Sequence, residues 1–487
     1  MTAEPDCDIV EKRGCSLRIL RCAAGEHPLA RFRTDYCQKA DGMNFFRQLH
    51  NAWDRVAQGA HFYGNGEGPH SRRGIICSGL AYNIVFNILN GSYLAGFCLT
   101  IGANANQVNA IVIVLSVCNL IQIISPLFMA RLGRRKPLLI ALRGGAHIIN
   151  ILVIPALALM RIPGSVLLPL VTVLLGMAQC LLAFVSPGIQ VWHIGCIPSE
   201  KQLGHFSFFT VMNCITVYVG LFLWGLITDG LSDWLGKGTA LPLVRMSMLL
   251  LAAVDIFFLT RIHEYPPEES RRQSVWKFFA QMGCCIRECP AYCKIIGVAS
   301  AWNLVANIPS QYYNTYLLED LGLSYTFLNS VTLFNVVVVL ALTPVWKRFV
   351  QWKGVRGCLF WSVLLYAPHA IGYAFTTTET VFLYPVSVIY NLIFAAGINL
   401  GFSLVPYLNL PEKNRTIYMA VYNTSCALSA LLGVLLGRLV FTLLEAAGTV
   451  QLFGAEVAPA QILVLVFAFA LGGVAFLFRH LLKDCGA

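Results

Sequence analysis

Two asparagine pairs are the most chemically pointed feature of the sequence. "AYNIVFNI" runs from Ala81 to Ile88 and "AWNLVANI" from Ala301 to Ile308, each inside an apolar stretch. Each carries two amides four residues apart, Asn83 and Asn87 in the first, Asn303 and Asn307 in the second. That spacing puts both amides on one face of a helix, one turn apart. A side-chain amide donates and accepts hydrogen bonds, so four converging amides would hold a neutral polar solute. The same pairs also suit helix-to-helix hydrogen bonds in a membrane, worth about 0.6 kcal/mol each. Asn90, Tyr93, Gln311, Tyr312 and Tyr313 extend the two faces.

The elements that carry these residues follow from composition. The chain has 487 residues, 57% hydrophobic and 12% charged, with a mean hydropathy of +0.66. A soluble chain carries roughly 25% charge, so this one lacks the polar surface to coat a water-facing globule. It reads as an all-α polytopic membrane protein. Twelve stretches are long and apolar enough to span a bilayer core, which takes about 20 residues per helix. They lie near 74–100, 108–130, 137–160, 165–197, 204–228, 242–262, 294–317, 325–346, 356–377, 381–408, 416–443 and 459–482. Continuous apolar runs favour helices over the ten-residue alternation of a barrel.

Lys and Arg set the orientation. Basic residues crowd the segment before the first span and the loops around Arg131–Lys136, Arg271–Arg287, Lys347–Arg356 and Lys413–Arg415, whereas the opposite loops hold Arg161, Lys237 and Arg245 with acids such as Asp229, Asp233, Glu319 and Glu445. Both termini are therefore expected in the cytoplasm, the chain being a multi-pass protein of the plasma (inner) membrane. The formal charge of +11 is a topology signal and argues for no nucleic acid.

The asparagine pairs belong to a longer repeat. "SPLF" (Ser125 to Phe128) answers to "TPVW" (Thr343 to Trp346), and "GIQVWHIGCIPSEK" (Gly188 to Lys201) to "GFSLVPYLNLPEKN" (Gly401 to Asn414). The offsets are 220, 218 and 213 residues. The chain is thus expected as two six-helix bundles, 74–262 and 294–482. They are joined by a linker over 263–293, preceded by an extension over 1–73 and followed by a tail over 483–487. Parallel halves of this kind bind solutes near the membrane midplane, between them. Within the extension, Asn44 to Phe62 suits a short amphipathic surface helix. Met43 stands before it as a natural start, and residues 1–42 read as disordered.

"ARLGRRKP" (Ala130 to Pro137) resembles the loop signature of the major facilitator superfamily, G-x-x-x-D-[RK]-x-G-[RK]-[RK]-[RK]. Arg131, Gly133, Arg134, Arg135 and Lys136 match, while Pro126 stands in place of the first Gly and Ala130 in place of the Asp. The resemblance covers residues 74–482. It implies twelve helices in two pseudosymmetric bundles, a basic loop that gates the cytoplasmic side, and a cavity lined by spans one, four, seven and ten. With the Asp missing, Glu200 or Glu412 is the expected partner of the loop. By the same resemblance the solute-binding set is Asn83, Asn87, Asn90, Gln179, Trp302, Asn303, Asn307, Gln311, Tyr390 and Asn391. Asn119, Gln122, Asn213, Asn335, Asn399, Tyr422 and Asn423 lie at similar depth in these or flanking spans.

Amides, phenols and an indole suit a sugar-like or nucleoside-like solute, because aromatic rings stack on apolar sugar faces. The alternatives are an efflux permease for lipophilic compounds and a transporter-like sensor. Intramembrane charges are functional suspects by default. Asp255 in span six is the candidate for coupling, with Arg261 as its nearest cation, and H+ or Na+ as the coupling ion stays open. Arg438 is expected to snorkel or pair with Glu445, and His147, His193 and His369 to pack. Cys285, Cys289 and Cys293 share a helix face, without the histidine and spacing of a metal site. No nucleotide loop, Ser/His/Asp order or metal motif appears, so no enzyme, cofactor or catalytic residue is expected. The working unit is expected to be a monomer that takes a small-molecule substrate and is held in a lipid bilayer.

Overall fold

The computed structural model describes residues 66–129, 134–160, 162–264, 283, 288–309, 312–411, 415–447, 450–452 and 455–483. The amphipathic segment 44–62, Arg131, Gly133, Gln311, Glu412 and the Cys284–Cys285 part of the cysteine cluster lie outside these residues. The described residues form one compact unit.

Helices follow the expected segments in order. Span one is Glu67–Leu89 continued by Gly91–Thr100, the two bent by 41°. Span two is Ala105–Asn119 with its continuation to Met129, and span three is Lys136–Ile148, a π turn Ile149–Val153 and Ile154–Leu159. Spans four, five and six are Gly164–Gly195, Ser199–Leu235 and Lys237–Ser247 with Leu249–Arg261. Span seven is Pro290–Ala306, then Tyr312–Thr315 and a π turn Tyr316–Asp320. Spans eight and nine are one run, Tyr325–Tyr366, folded back at Gly354 and continued by Pro368–Ala374. Leu383–Leu404, Arg415–Ala447 and Pro459–Leu481 are spans ten, eleven and twelve. Among the described residues nine helices are long and apolar enough to cross a membrane, or ten when bent span one counts as a single crossing. Spans seven and nine fall outside that count because each is broken into shorter pieces.

Local chemistry sets the ends. Asn104 and Gln107 cap span two reciprocally, each side-chain oxygen accepting the other's backbone N–H at 2.9 Å. Ser324 Oγ accepts the Phe327 N–H at the start of span eight. Proline opens spans three, seven and twelve within the first turn, where its missing N–H costs nothing. Between spans eleven and twelve the all-helical expectation is amended by a small antiparallel hairpin, which pairs Val450 with Val457 and Leu452 with Ala455.

Each half packs internally. Span one lies on spans five and six, span three on span four, and span seven on spans eleven and twelve. Outer faces are apolar and uncovered, as at Leu250 (73% exposed), Val337 (63%) and Phe469 (80%). In water such surface would be a liability; toward acyl chains it is what a membrane helix requires. One end of the bundle carries Arg134, Lys136, Lys347, Lys353, Arg356 and Lys483, the other Asp229, Asp233, Glu319, Asp320, Glu379 and Glu445. They are called below the basic end and the acidic end.

Candidate functional site

The duplicated asparagines sit just ahead of a helix break in each half. In span one the helix stops at Leu89, and Asn90 is extended (φ −125°, ψ −171°) before Gly91 at φ 59°. In span seven it stops at Ala306. A broken helix leaves its last carbonyls without partners; amides reach two of these, Phe86 O and Asn303 O, and bond to two carbonyls further back, Asn83 O and Ala299 O. Asn87 Nδ2 donates to Asn83 O at 2.7 Å, and Asn307 Nδ2 donates to Asn303 O at the same distance. Asn90 Nδ2 reaches Phe86 O at 2.8 Å, and Asn303 Nδ2 reaches Ala299 O at 2.8 Å. Asn83 Nδ2 instead crosses to Asn213 Oδ1 of span five at 2.7 Å. The amide N–H groups of the repeat therefore point at backbone and at one neighbouring helix.

Two of the expected solute contacts do converge. Asn90 and Gln179 line a narrow cleft among spans one to four, with room of about 20 Å³, together with Tyr82, His147, Asn150 and apolar residues including Leu115 and Leu175. Gln179 also donates to Asn119 Oδ1 at 2.6 Å, which fixes its amide across spans four and two. The second-half candidates are arranged otherwise. Asn391 donates to Tyr366 Oη at 3.2 Å. Trp302 sits between the rings of Tyr366 and Phe402, at 6.1 and 5.4 Å, and Tyr390 lies 5.0 Å from Phe394. Asn307 packs under Gly433 of span eleven, where an added methyl would meet its Cβ at 3.2 Å. These residues tie spans seven, nine, ten and eleven together, and none of them lines the cleft.

A buried charge cluster stands against the cleft. Asp255 of span six is fully buried and accepts four hydrogen bonds. Arg143 of span three grips it with Nε at 2.7 Å and Nη2 at 2.8 Å. Ser78 Oγ of span one donates at 2.6 Å, and His147 Nε2 of span three lies at 3.0 Å. The Tyr82 ring covers the Arg143 guanidinium at 3.9 Å. The bidentate fork needs an ionised carboxylate, and an ionised carboxylate only accepts, so His147 Nε2 carries the proton of that contact. The expected partner of Asp255, Arg261, is turned to the Phe257 ring at 5.0 Å. Residue types alone did not single out Arg143, although a lone cation inside span three and a lone acid inside span six call for each other in a membrane. His147 is expected to pack; it packs, and it also bonds to the acid.

Arg245 is a second correction. It is buried in span six, 2% exposed, rather than lying in an outer loop. Its guanidinium lies 4.7 Å from the Phe97 ring centre and donates a long 3.5 Å bond to Leu89 O, the last carbonyl before the span-one break. Nε and Nη2 have no hydrogen-bond partner among the described residues. A cation at a helix C-terminus is favoured by the helix dipole.

The basic loop is anchored within its own half. Glu264 Oε1 accepts the Arg135 and Lys136 backbone N–H groups at 2.6 and 3.0 Å, an acid on the N-terminus of span three. Lys136 Nζ donates to Thr260 O and Ile262 O at 2.9 and 2.7 Å, closing the C-terminus of span six. Glu264, three residues past the end of span six, thus serves the Arg135 and Lys136 backbone; the expected partners, Glu412 and the Glu200 side chain, lie outside what the structure describes. Arg134 is exposed.

The halves are joined toward the acidic end. Asp229 accepts the Tyr325 and Thr326 N–H groups at 3.1 and 2.6 Å. Asn329 Nδ2 donates to Tyr93 Oη at 2.9 Å, and the Tyr93 and Tyr325 rings stack at 4.8 Å. Asn106 donates to Glu445 at 2.7 Å and accepts from Tyr312 Oη at 3.1 Å. Glu445 therefore serves the other half rather than Arg438, which is exposed.

The sequence profile of the Major Facilitator Superfamily matches residues 74–434. Solved structures share the fold at low identity. A mutant of the nucleoside transporter NupG has a TM-score of 0.61 at 14% identity, covering 85% of this chain and 100% of its own. A bacterial homologue of the iron transporter ferroportin in an inward-facing state has a TM-score of 0.61 at 13% identity, covering 85% and 98%. A D-xylose-proton symporter has 0.56 at 13% identity, covering 82% and 96%. No curated protein sequence matches the chain. The chain belongs to the Major Facilitator Superfamily: it is a multi-pass membrane transporter and not an enzyme.

Proposed function

We propose that this member of the superfamily carries a small, polar, neutral solute of sugar-like or nucleoside-like chemistry across the plasma (inner) membrane by alternating access, with both termini cytoplasmic. The observation that carries the reading is the polar lining of the narrow cleft among spans one to four, which has to widen to admit a solute. Its polar groups, Asn90, Asn150, Gln179, Tyr82 and His147, both donate and accept and are set among leucines. That is the balance by which a pocket orients a hydroxyl-rich molecule and excludes an ion. The names of the structural neighbours, a nucleoside transporter and a D-xylose symporter, are consistent with such chemistry. With the basic end inside, the links at Asp229, Tyr93 and Asn106 hold the outer side together, which fits an inward-facing state. In the second half, Asn303, Asn307, Tyr390, Asn391 and Trp302 keep the rigid frame against which the first half works.

The apolar part of the same wall favours a second reading, efflux of a lipophilic compound. Both are tested by one screen. Purified protein is melted in the presence of pentoses, hexoses, nucleosides and amphipathic dyes, and the hits are carried into counterflow assays in proteoliposomes. A sugar or nucleoside that raises the melting temperature, and loses that effect with Asn90→Ala and Gln179→Ala, supports the first reading. Protection by dyes alone supports the second. Binding without counterflow would make the protein a sensor.

A further inference from the structure

We propose that the cavity between the halves at the acidic end is a second ligand site, one that takes a flexible organic polycation of the polyamine kind and holds the halves together over it.

The cavity has room of about 780 Å³, within the range of about 300–1,000 Å³ that small-molecule sites occupy. It shares no lining residue with the cleft among spans one to four. Its walls come from both halves. The first half gives Leu99 of span one, Asp229, Ser232 and Asp233 at the end of span five, and Lys237 at the start of span six. The second half gives Leu318 and Glu319 at the end of span seven and Thr326 at the start of span eight. A ligand that touches both walls binds only while the halves meet, so it favours the state in which Asp229 caps span eight.

Charge selects the ligand. Three carboxylates, Asp229, Asp233 and Glu319, face one ammonium, Lys237. Asp229 is committed to the Tyr325 and Thr326 N–H groups. Asp233, Glu319 and Lys237 are exposed, and none of them forms an ion pair among the described residues. The acids are also dispersed: no group of three metal-ligating side chains occurs among the described residues. Separated acids suit separated ammonium groups, and Leu99 and Leu318 suit the methylene stretches that join such groups.

Two hydroxyls of the lining are short of partners. Ser232 Oγ in the first half and Thr326 Oγ1 in the second are buried with no hydrogen-bond partner among the described residues, although buried polar groups normally have one. One in each half, they are left for the N–H donors of a ligand or for water that it traps.

Equilibrium dialysis of labelled spermidine against the purified full chain tests the site. One saturable site per chain is expected, and its absence overturns the proposal. Asp233→Asn combined with Glu319→Gln removes two exposed ion pairs with the ligand and is expected to weaken binding roughly tenfold. Lys237→Gln removes the opposing charge and is expected to tighten it about threefold. Glu379→Gln, at the acidic end but outside the cavity lining, is expected to bind as the parent does. An unweakened double variant, or an equal loss in Glu379→Gln, overturns the proposal in favour of diffuse surface charge. Displacement by calcium at matched ionic strength and equal concentration overturns it in favour of a metal site. Bridging is read separately. In Ser330→Cys, spermidine is expected to slow maleimide labelling severalfold, and in the same variant carrying Asp233→Asn and Glu319→Gln to leave it unchanged. Saturable binding with unaltered labelling in Ser330→Cys overturns the bridge between the halves. Neither readout involves flux, so the outcome is independent of the solute that the cleft takes.

Discussion

The Asp229 carboxylate, in the first half, accepts the Thr326 N–H at 2.6 Å and the neighbouring Tyr325 N–H at 3.1 Å, at the start of a helix in the second half. An acid thus caps a helix it does not belong to, and the cap exists only while the halves touch at the acidic end. Losing an N-cap costs about 0.5–2 kcal/mol. Asp229→Ala is therefore expected to shift the population away from the observed state by roughly tenfold. Accessibility of a cysteine placed at Ser330, measured by maleimide labelling from the acidic side, is expected to rise. Unchanged labelling would mean the cap is incidental to closure.

Breaking the charge cluster on one side only leaves a charge buried. Removing one partner of a buried pair costs about 3–5 kcal/mol, whereas replacing both by apolar groups is often neutral. Arg143→Met and Asp255→Leu are each expected to lower the melting temperature sharply, and the double variant to recover most of the loss. An additive double variant would show that the two residues act independently.

Spans seven and eleven meet on bare backbone. A methyl added at Gly433 would run into Leu304 O, and one at Gly437 into Ile308 O, while Gly230 faces open space. Gly433→Ala and Gly437→Ala are expected to reduce the folded yield severalfold, with Gly230→Ala near the parent. Size-exclusion profiles of the three variants decide it.

Arg245 lies over the broken end of span one, and its long stem packs where a shorter one would leave a gap. Arg245→Lys keeps the charge and loses the planar fork, so it is expected to be intermediate between the parent and Arg245→Met in melting temperature. A lysine variant as stable as the parent would reduce the residue to its charge alone.

Asn83 and Asn213 share one hydrogen bond. Their alanine variants are expected to be non-additive in melting temperature, with a coupling of about 0.6 kcal/mol. Asn87→Ala, which removes a bond to the same helix, is expected to add independently. A double-mutant cycle distinguishes the two cases.

The all-helical membrane class and the order of the apolar segments were legible because hydropathy acts over whole segments. The pairing of Asp255 was not, because Arg143 and Arg261 are both cations near it in depth and only helix rotation chooses between them. Rotation also decided the asparagines. Spacing of i and i+4 puts Asn83 and Asn87 on one face, but a helix can turn that face to a cavity, to a neighbouring helix, as Asn83 does toward Asn213, or to its own carbonyls, as Asn87 does. The break has a local signal in Asn90–Gly91, a pair suited to unusual backbone; the corresponding stretch of span seven holds Pro309. Cleft residues His147 and Asn150 lie on span three, outside the four spans the resemblance gives as lining the cavity, and the π turn that begins two residues after His147 has no signature in residue types.

Gly354 reverses the chain between spans eight and nine with a single residue at φ 69° and ψ 175°, a conformation open to glycine. Such a joint has no slack. A push on the outer tip of span eight, where Asp229 grips it, is delivered to span nine as a rotation about one pivot, the way a crank turns its shaft. Lengthening the pivot with a few flexible residues would let one arm swing while the other stays still.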